Sequence, residues 1–223
     1  MGDINAFILR YNYLPLVLAA VIGLVRYRHL GLPQRRLLLL TLESGGMEAT
    51  ARMVVHYQQS NLFLAPLDTA LEFTLPALIY RLVLRPSWLR RLIPCLVGAF
   101  LLGTALTYLP RPAQPEFSPW QHTLEAGLIL SFVGRYLYRE ITQPVISDRL
   151  EKDPMFWVSA GALLYFSGSL LFFLSSNYVL HLSPALSLQV WTVHALFYSF
   201  LNLLYAVALA CPPRRPRARI TQS

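Results

Sequence analysis

Long apolar segments recur along the whole chain and constrain its fold more than any other feature. Hydrophobic residues make up 55% of the 223 and charged residues only 13%, which argues against an ordinary soluble domain. Seven segments are each long enough to cross a hydrocarbon core of roughly 30 Å. They cover Ile4–Val25 and residues 36–57, 66–84, 89–109, 119–138, 155–180 and 184–211. This pattern predicts an all-α polytopic membrane protein with seven transmembrane helices.

The distribution of basic residues predicts how these helices are oriented. Most of the 19 Lys and Arg residues fall in four clusters at alternate segment ends, within residues 26–36, 81–91, 135–152 and 214–219. Short cytoplasmic loops are enriched in Lys and Arg. We therefore expect the N-terminus outside, one membrane domain over residues 1–211, and a basic cytoplasmic tail over residues 212–223. The net charge of +8 then reflects topology and anionic lipid headgroups, and nucleic acid is not an expected partner.

Two glutamates inside apolar segments mark a candidate site. Pro66 and Pro119 are each predicted to open a helix, and Glu72 and Glu125 each follow six residues later. With a rise of about 1.5 Å per residue, both carboxyls would lie roughly 9 Å inside the bilayer, at one depth. Ionisable groups inside a membrane normally face the bundle interior, where they pair or serve a function.

Further polar residues map to the same outer half of the predicted bundle. Glu48 and Arg52 are spaced i, i+4 on one helix and are expected to form an ion pair. The last segment carries His194, Tyr198 and Asn202 at the spacing i, i+4 and i+8, so these three residues share one helix face. The predicted ligand-binding residues are Glu72, Glu125, His194, Tyr198, Asn202, Glu48 and Arg52.

Carboxyls outnumber cations in this outer half. Four acidic residues face a single arginine there, namely Glu48, Asp68, Glu72 and Glu125 against Arg52. The deficit of positive charge can be met by protonating carboxyls or histidines, or by binding a cation. The sequence therefore predicts a polar cavity that opens to the outer face.

A divalent metal is a candidate cofactor at this site. His122, Glu125, Glu72 and His194 would offer a mixed oxygen and nitrogen ligand set, which suits zinc, iron or manganese. The local spacing that supports this set is His122-x-x-Glu125. Retinal is excluded as a cofactor, because its Schiff base needs a lysine in the last helix and the sole lysine of the chain, Lys152, falls in a loop.

One set of motifs in the last two segments resembles a known family. The motifs are the run from Phe156 to Gly168, the pair Ser176-Asn177, Trp191-x-x-His194 and Asn202-x-x-Tyr205. Together they resemble a family of small bacterial seven-helix inner-membrane proteins to which no activity is assigned. With Glu72 and Glu125, the resemblance spans most of the chain and implies the fold and the bacterial inner membrane.

These features favour a receptor or sensor, with two alternatives open. The outward cavity would bind a small ligand, a metal ion or a proton, and the basic cytoplasmic loops would meet a signalling partner. One alternative is a membrane-embedded, metal-dependent lipid hydrolase in which a glutamate is the general base, which a lateral opening to lipid would favour. The other is a proton- or cation-coupled transporter, whose polar track would continue inward through Asn202 and Glu43. Enzymatic activity stays undecided at this level.

Overall fold

A computed structural model describes residues 2–57, 62–108, 119–142, 150–179 and 184–213 of the chain. These residues form α-helices joined by short turns, with no strand among them, so the all-α prediction is confirmed. Most of the predicted basic tail, from residue 214 onward, lies outside the described residues. The helices are α1 Gly2–Tyr11, α2 Leu14–Val25, α3 Leu32–His56, α4 Ala65–Val83, α5 Ser87–Tyr108, α6 Pro119–Thr142, α7 Pro154–Val179 and α8 Pro184–Ala210.

Prolines account for several helix boundaries. Pro119 occupies the first position of a helix, as predicted, and so do Pro154 and Pro184, because that position needs no backbone N–H. The same rule divides the first predicted segment into two helices. Pro15 stands in the first turn of α2, two residues after the break that follows Tyr11.

Among the described residues, four stretches are long and apolar enough to cross a membrane, as in a multi-pass membrane protein. They are Ile4–Val25, which joins α1 and α2, then Ser87–Tyr108, Pro154–Phe172 and Leu188–Ala210. The other long helices, α3, α4 and α6, have 25, 19 and 24 residues. At about 1.5 Å per residue each could also span roughly 30 Å. They carry more charged residues, and these include the acidic residues of the candidate site.

Six of the helices pack in a closed ring. Each of α2, α3, α4, α6, α7 and α8 contacts the next in that order, and α8 returns to α2. Within this framework α1 packs on α8, and α5 packs on α4. A closed ring surrounds the space between its helices, and side chains that point inward from different helices can meet there.

Polar ties join the helices at the end that carries the basic clusters. The Gln34 side chain donates to the carbonyl oxygens of Ala208, at 2.9 Å, and Cys211, at 3.0 Å. Asp153 accepts a hydrogen bond from the Tyr136 hydroxyl at 2.9 Å and caps α7 by accepting from the Met155 backbone N–H at 3.0 Å. This end is therefore closed by hydrogen bonds, and the cavity lies toward the other end.

Close packing of α7 against α8 predicts a sensitive glycine. A Cβ added at Gly168 would lie 2.5 Å from the Phe197 ring, whereas one added at Gly98 meets nothing within 4 Å. We expect Gly168→Ala to lower the free energy of unfolding by about 1–3 kcal/mol through overpacking. Gly98→Ala should leave stability unchanged or raise it by up to about 1 kcal/mol, because alanine favours helix. Thermal unfolding in detergent compares them, and equal midpoints would contradict the packing.

Candidate functional site

A cavity of about 410 Å³ lies inside the helix bundle. Residues from α1, α3, α4, α6, α7 and α8 contribute to its wall. The polar and ionisable side chains that line it are those of Asn12, Ser44, Glu48, Asp68, Thr69, Glu72, His122, Tyr165, His194 and Tyr198. Helices that the sequence separates by more than a hundred residues therefore place these groups around one space.

The cavity lies toward the end of the bundle opposite the basic clusters. It is lined from the N-terminal halves of α4, α6 and α8, at Glu72, His122 and His194, and from the C-terminal half of α3, at Glu48. The basic residues of α4 and α6 fall toward the other ends of these two helices, with Arg81 in the last turn of α4 and Arg139 in the last turn of α6.

Glu72, His122 and Glu125 come together at the wall of the cavity. Each offers one ligand atom, and these atoms lie within 4.8 Å of one another. His122 Nδ1 is 3.4 Å from Glu125 Oε2, and Glu125 is only 2% exposed. The Tyr165 hydroxyl is in hydrogen-bonding contact with the Glu72 carboxyl. The structure thus brings together three of the four residues that the sequence suggested as metal ligands.

The fourth of those residues, His194, lies apart from this cluster. Its Nδ1 is 3.3 Å from Ser169 Oγ. Its ring contacts the rings of Tyr165, Phe172 and Trp191, with centroid distances of 5.5, 5.6 and 5.9 Å. His194 therefore presents a polar group within an aromatic wall of the same cavity and is placed to contact an organic ligand.

Glu48 and Arg52 form the predicted ion pair, at 2.6 Å between Arg52 Nε and Glu48 Oε1. Glu48 lines the cavity and Arg52 does not. The Arg52 guanidinium instead reaches the junction of α1 and α2, where it donates to Asn12 Oδ1 at 2.9 Å and lies over the Tyr13 ring at 4.7 Å. Arg52 thus serves to hold this junction against α3.

Tyr198 and Asn202 share a face of α8, as their spacing predicts, but only Tyr198 lines the cavity. The Asn202 side chain is 3% exposed and donates to the Tyr198 carbonyl oxygen at 2.9 Å. Its side-chain amide is therefore hydrogen-bonded to the backbone of its own helix. Glu43, the other residue through which a transport path would continue, does not line the cavity either.

Tyr165 and Thr69 take part in the site although neither is among the residues predicted to bind a ligand or a metal. Tyr165 is 5% exposed on α7, and Thr69 Oγ1 lies 3.5 Å from His122 Nε2. A lone tyrosine or threonine in an apolar helix carries little signal by itself. In the case of Thr69 the signal was its spacing, since it precedes Glu72 by three residues on one helix face.

Acidic side chains predominate around the cavity. Glu48, Asp68 and Glu72 line it, Glu125 adjoins it, and no Lys or Arg is among its described lining residues. Glu48 is paired with Arg52. The remaining carboxyls favour a ligand that carries positive charge or donates hydrogen bonds.

A proline places a weak point in α4 beside this cluster. Pro76 lies inside the helix and has no N–H. The backbone carbonyl of Glu72, four residues earlier, therefore lacks its usual helical donor.

The contacts of Arg52 predict a local effect of its removal. We expect Arg52→Gln to lower the free energy of unfolding by only about 0.2–1 kcal/mol, as for an exposed ion pair. Amide hydrogen exchange over residues 10–13 should nevertheless rise, because the ties to Asn12 and Tyr13 are lost. Arg81→Gln, an exposed change at the opposite end of the bundle, is the control. Unchanged exchange at residues 10–13 in Arg52→Gln would contradict this role.

No family model, no curated protein and no solved structure matches the chain. The resemblance to the bacterial seven-helix family therefore stays a prediction.

Proposed function

We propose that this chain is a membrane receptor of the sensor type, whose cavity binds a small ligand that carries positive charge. In this proposal it crosses the bacterial inner membrane seven times, with the N-terminus outside and the C-terminus in the cytoplasm. The single observation that carries the proposal is the cavity of about 410 Å³ with its excess of acidic groups. Small-molecule sites commonly have volumes of about 300–1,000 Å³ and a few convergent polar groups.

Two kinds of wall support binding of an organic cation. Glu72 and Asp68 supply negative charge from α4, while Trp191 and Tyr165 supply aromatic rings from α8 and α7. Aromatic faces attract cations, and the attraction grows when water is excluded. A small amine or quaternary ammonium ion would satisfy both walls at once.

The helices that line the cavity also carry the basic clusters. Ligand contacts on α4 and α6 would shift these helices relative to α7 and α8, and their basic ends would present the change in the cytoplasm. A ligand drives such a shift only by its differential affinity for the two arrangements. The proposed partner is a signalling protein with an acidic docking surface.

Cysteine labelling tests whether the cavity opens outward. The background is Cys95→Ala with Cys211→Ala, which removes both cysteines of the chain. A membrane-impermeant maleimide should label Ala51→Cys, a cavity-lining position, in intact spheroplasts. Lys152→Cys, between α6 and α7, should be labelled only after permeabilisation. The reverse pattern would contradict the orientation.

Tryptophan fluorescence tests binding of organic cations. Trp191 lines the cavity, so a bound ligand should change its emission. The probes are ethanolamine, putrescine and tetramethylammonium, with Trp191→Phe as the variant that reports background from the other tryptophans. We expect at least one probe to give a saturable change that is lost in Trp191→Phe and weakened in Glu72→Gln. Absence of any saturable change in folded protein would count against an organic ligand.

A second cleft favours the lipid hydrolase as the second candidate function. It has a volume of about 230 Å³, and its described lining residues belong to α5 and α6, among them Gln121, one turn before Glu125. A gap between two helices could admit an acyl chain from the bilayer to the glutamates. Release of fatty acid from phosphatidylethanolamine in mixed micelles, abolished by Glu125→Gln, would support this function over the receptor.

A further inference from the structure

We infer that Glu72, His122 and Glu125 form a binding site for a divalent transition-metal ion, with zinc as the best match. This inference rests on the proposed function, because the metal ion would be a ligand bound in the receptor's cavity. Zinc is bound in proteins by histidine nitrogen and carboxylate oxygen at about 2.0–2.2 Å, mostly with tetrahedral geometry. Two helices supply the three donors, α4 with Glu72 and α6 with the other two.

The distances between the donors fit such an ion. In a tetrahedral site with bonds of about 2.1 Å, neighbouring ligand atoms lie roughly 3.4 Å apart. His122 Nδ1 and Glu125 Oε2 are 3.4 Å apart. The three ligand atoms of the cluster lie within 4.8 Å of one another, so a small rotation of the Glu72 side chain would complete the geometry.

The surroundings of His122 orient its ring for metal binding. Thr69 Oγ1 donates its proton to the Ala65 carbonyl oxygen at 2.8 Å, so the hydroxyl oxygen can accept from His122 Nε2 at 3.5 Å. In the tautomer that carries the proton on Nε2, the lone pair of Nδ1 is directed at the Glu125 carboxylate. Two electron-rich atoms at that distance need a proton or a cation between them. Histidine ligands in metal sites typically donate their second N–H to such an outer partner.

Burial of Glu125 is the second observation that points to a ligand. The residue is 2% exposed, and its Oε1 has no hydrogen-bond donor among the described residues. A buried carboxylate oxygen without a donor is costly. Two glutamates and a neutral histidine around a divalent ion form a neutral cluster, which removes the cost of leaving two charges in an apolar bundle.

Three protein donors leave one coordination position free. Glu72 and His122 both line the cavity, so that position faces it. Three ligands plus an open position are typical of zinc sites that act on a bound molecule, whereas purely structural sites have four protein ligands. The ion would then take a water molecule or an anionic or neutral donor group of a further ligand.

Zinc binding to the detergent-purified chain tests the inference. The metal-free protein is dialysed against buffered Zn²⁺, and bound metal is measured by elemental mass spectrometry. We expect about one Zn²⁺ per chain and a rise in the thermal midpoint with added Zn²⁺. Glu72→Gln and Glu125→Gln should each weaken binding by at least about 100-fold. Thr69→Val should weaken it about 10–100-fold, as for other outer partners of metal ligands.

The matched control is Glu151→Gln, the same chemical change at an exposed glutamate outside the cavity. It should bind Zn²⁺ as the unaltered chain does. The inference is overturned if the folded unaltered chain binds no Zn²⁺, an outcome that does not depend on how any variant folds. It is also overturned if both glutamate variants bind Zn²⁺ as tightly as Glu151→Gln. Either result would leave the receptor proposal dependent on organic-cation binding beside Trp191, which the fluorescence experiment tests independently.

Discussion

The cost of burying carboxylates in an apolar bundle is the constraint on which the rest of this structure depends. A membrane-spanning chain gains nothing from placing glutamates on three of its helices unless they meet one another or a counter-charge. The ring of six helices arranges that meeting. It turns Glu72 and Glu125 toward one space, where His122 joins them, while Glu48 is paired with Arg52 of its own helix.

Much of this arrangement could be predicted from the sequence. Apolar length located the long helices but not the break between α1 and α2, and prolines at residues 119, 154 and 184 marked where three of the helices begin. Helical spacing also predicted that Glu72 and Glu125 share one depth, and the structure brings them into one cluster. These features are local, because they depend only on the rise and period of a single helix.

Other features depend on which helices become neighbours, and a single sequence does not supply that. His194 shares the cavity with Glu72, but it faces Ser169 and aromatic rings of α7 and does not join the glutamates. Asn202 lies on the expected face of α8 and still bonds to its own backbone. Arg52 keeps its predicted partner while its outer nitrogens reach the break between α1 and α2, a break that hydropathy alone does not reveal.

The missing backbone bond at Pro76 gives α4 a mechanical property. A helix resists bending through its backbone hydrogen bonds, and α4 lacks the bond that would join the backbone of residue 76 to the Glu72 carbonyl oxygen. Beyond that turn, the Tyr80 hydroxyl is hydrogen-bonded to Ser159 Oγ at 3.0 Å. The N-terminal portion of α4 can therefore tilt about Pro76 relative to the C-terminal portion, which the Tyr80 bond ties to α7. Because Glu72 lies in that N-terminal portion, a pull on its carboxyl would tilt the segment against less backbone resistance than in a continuous helix.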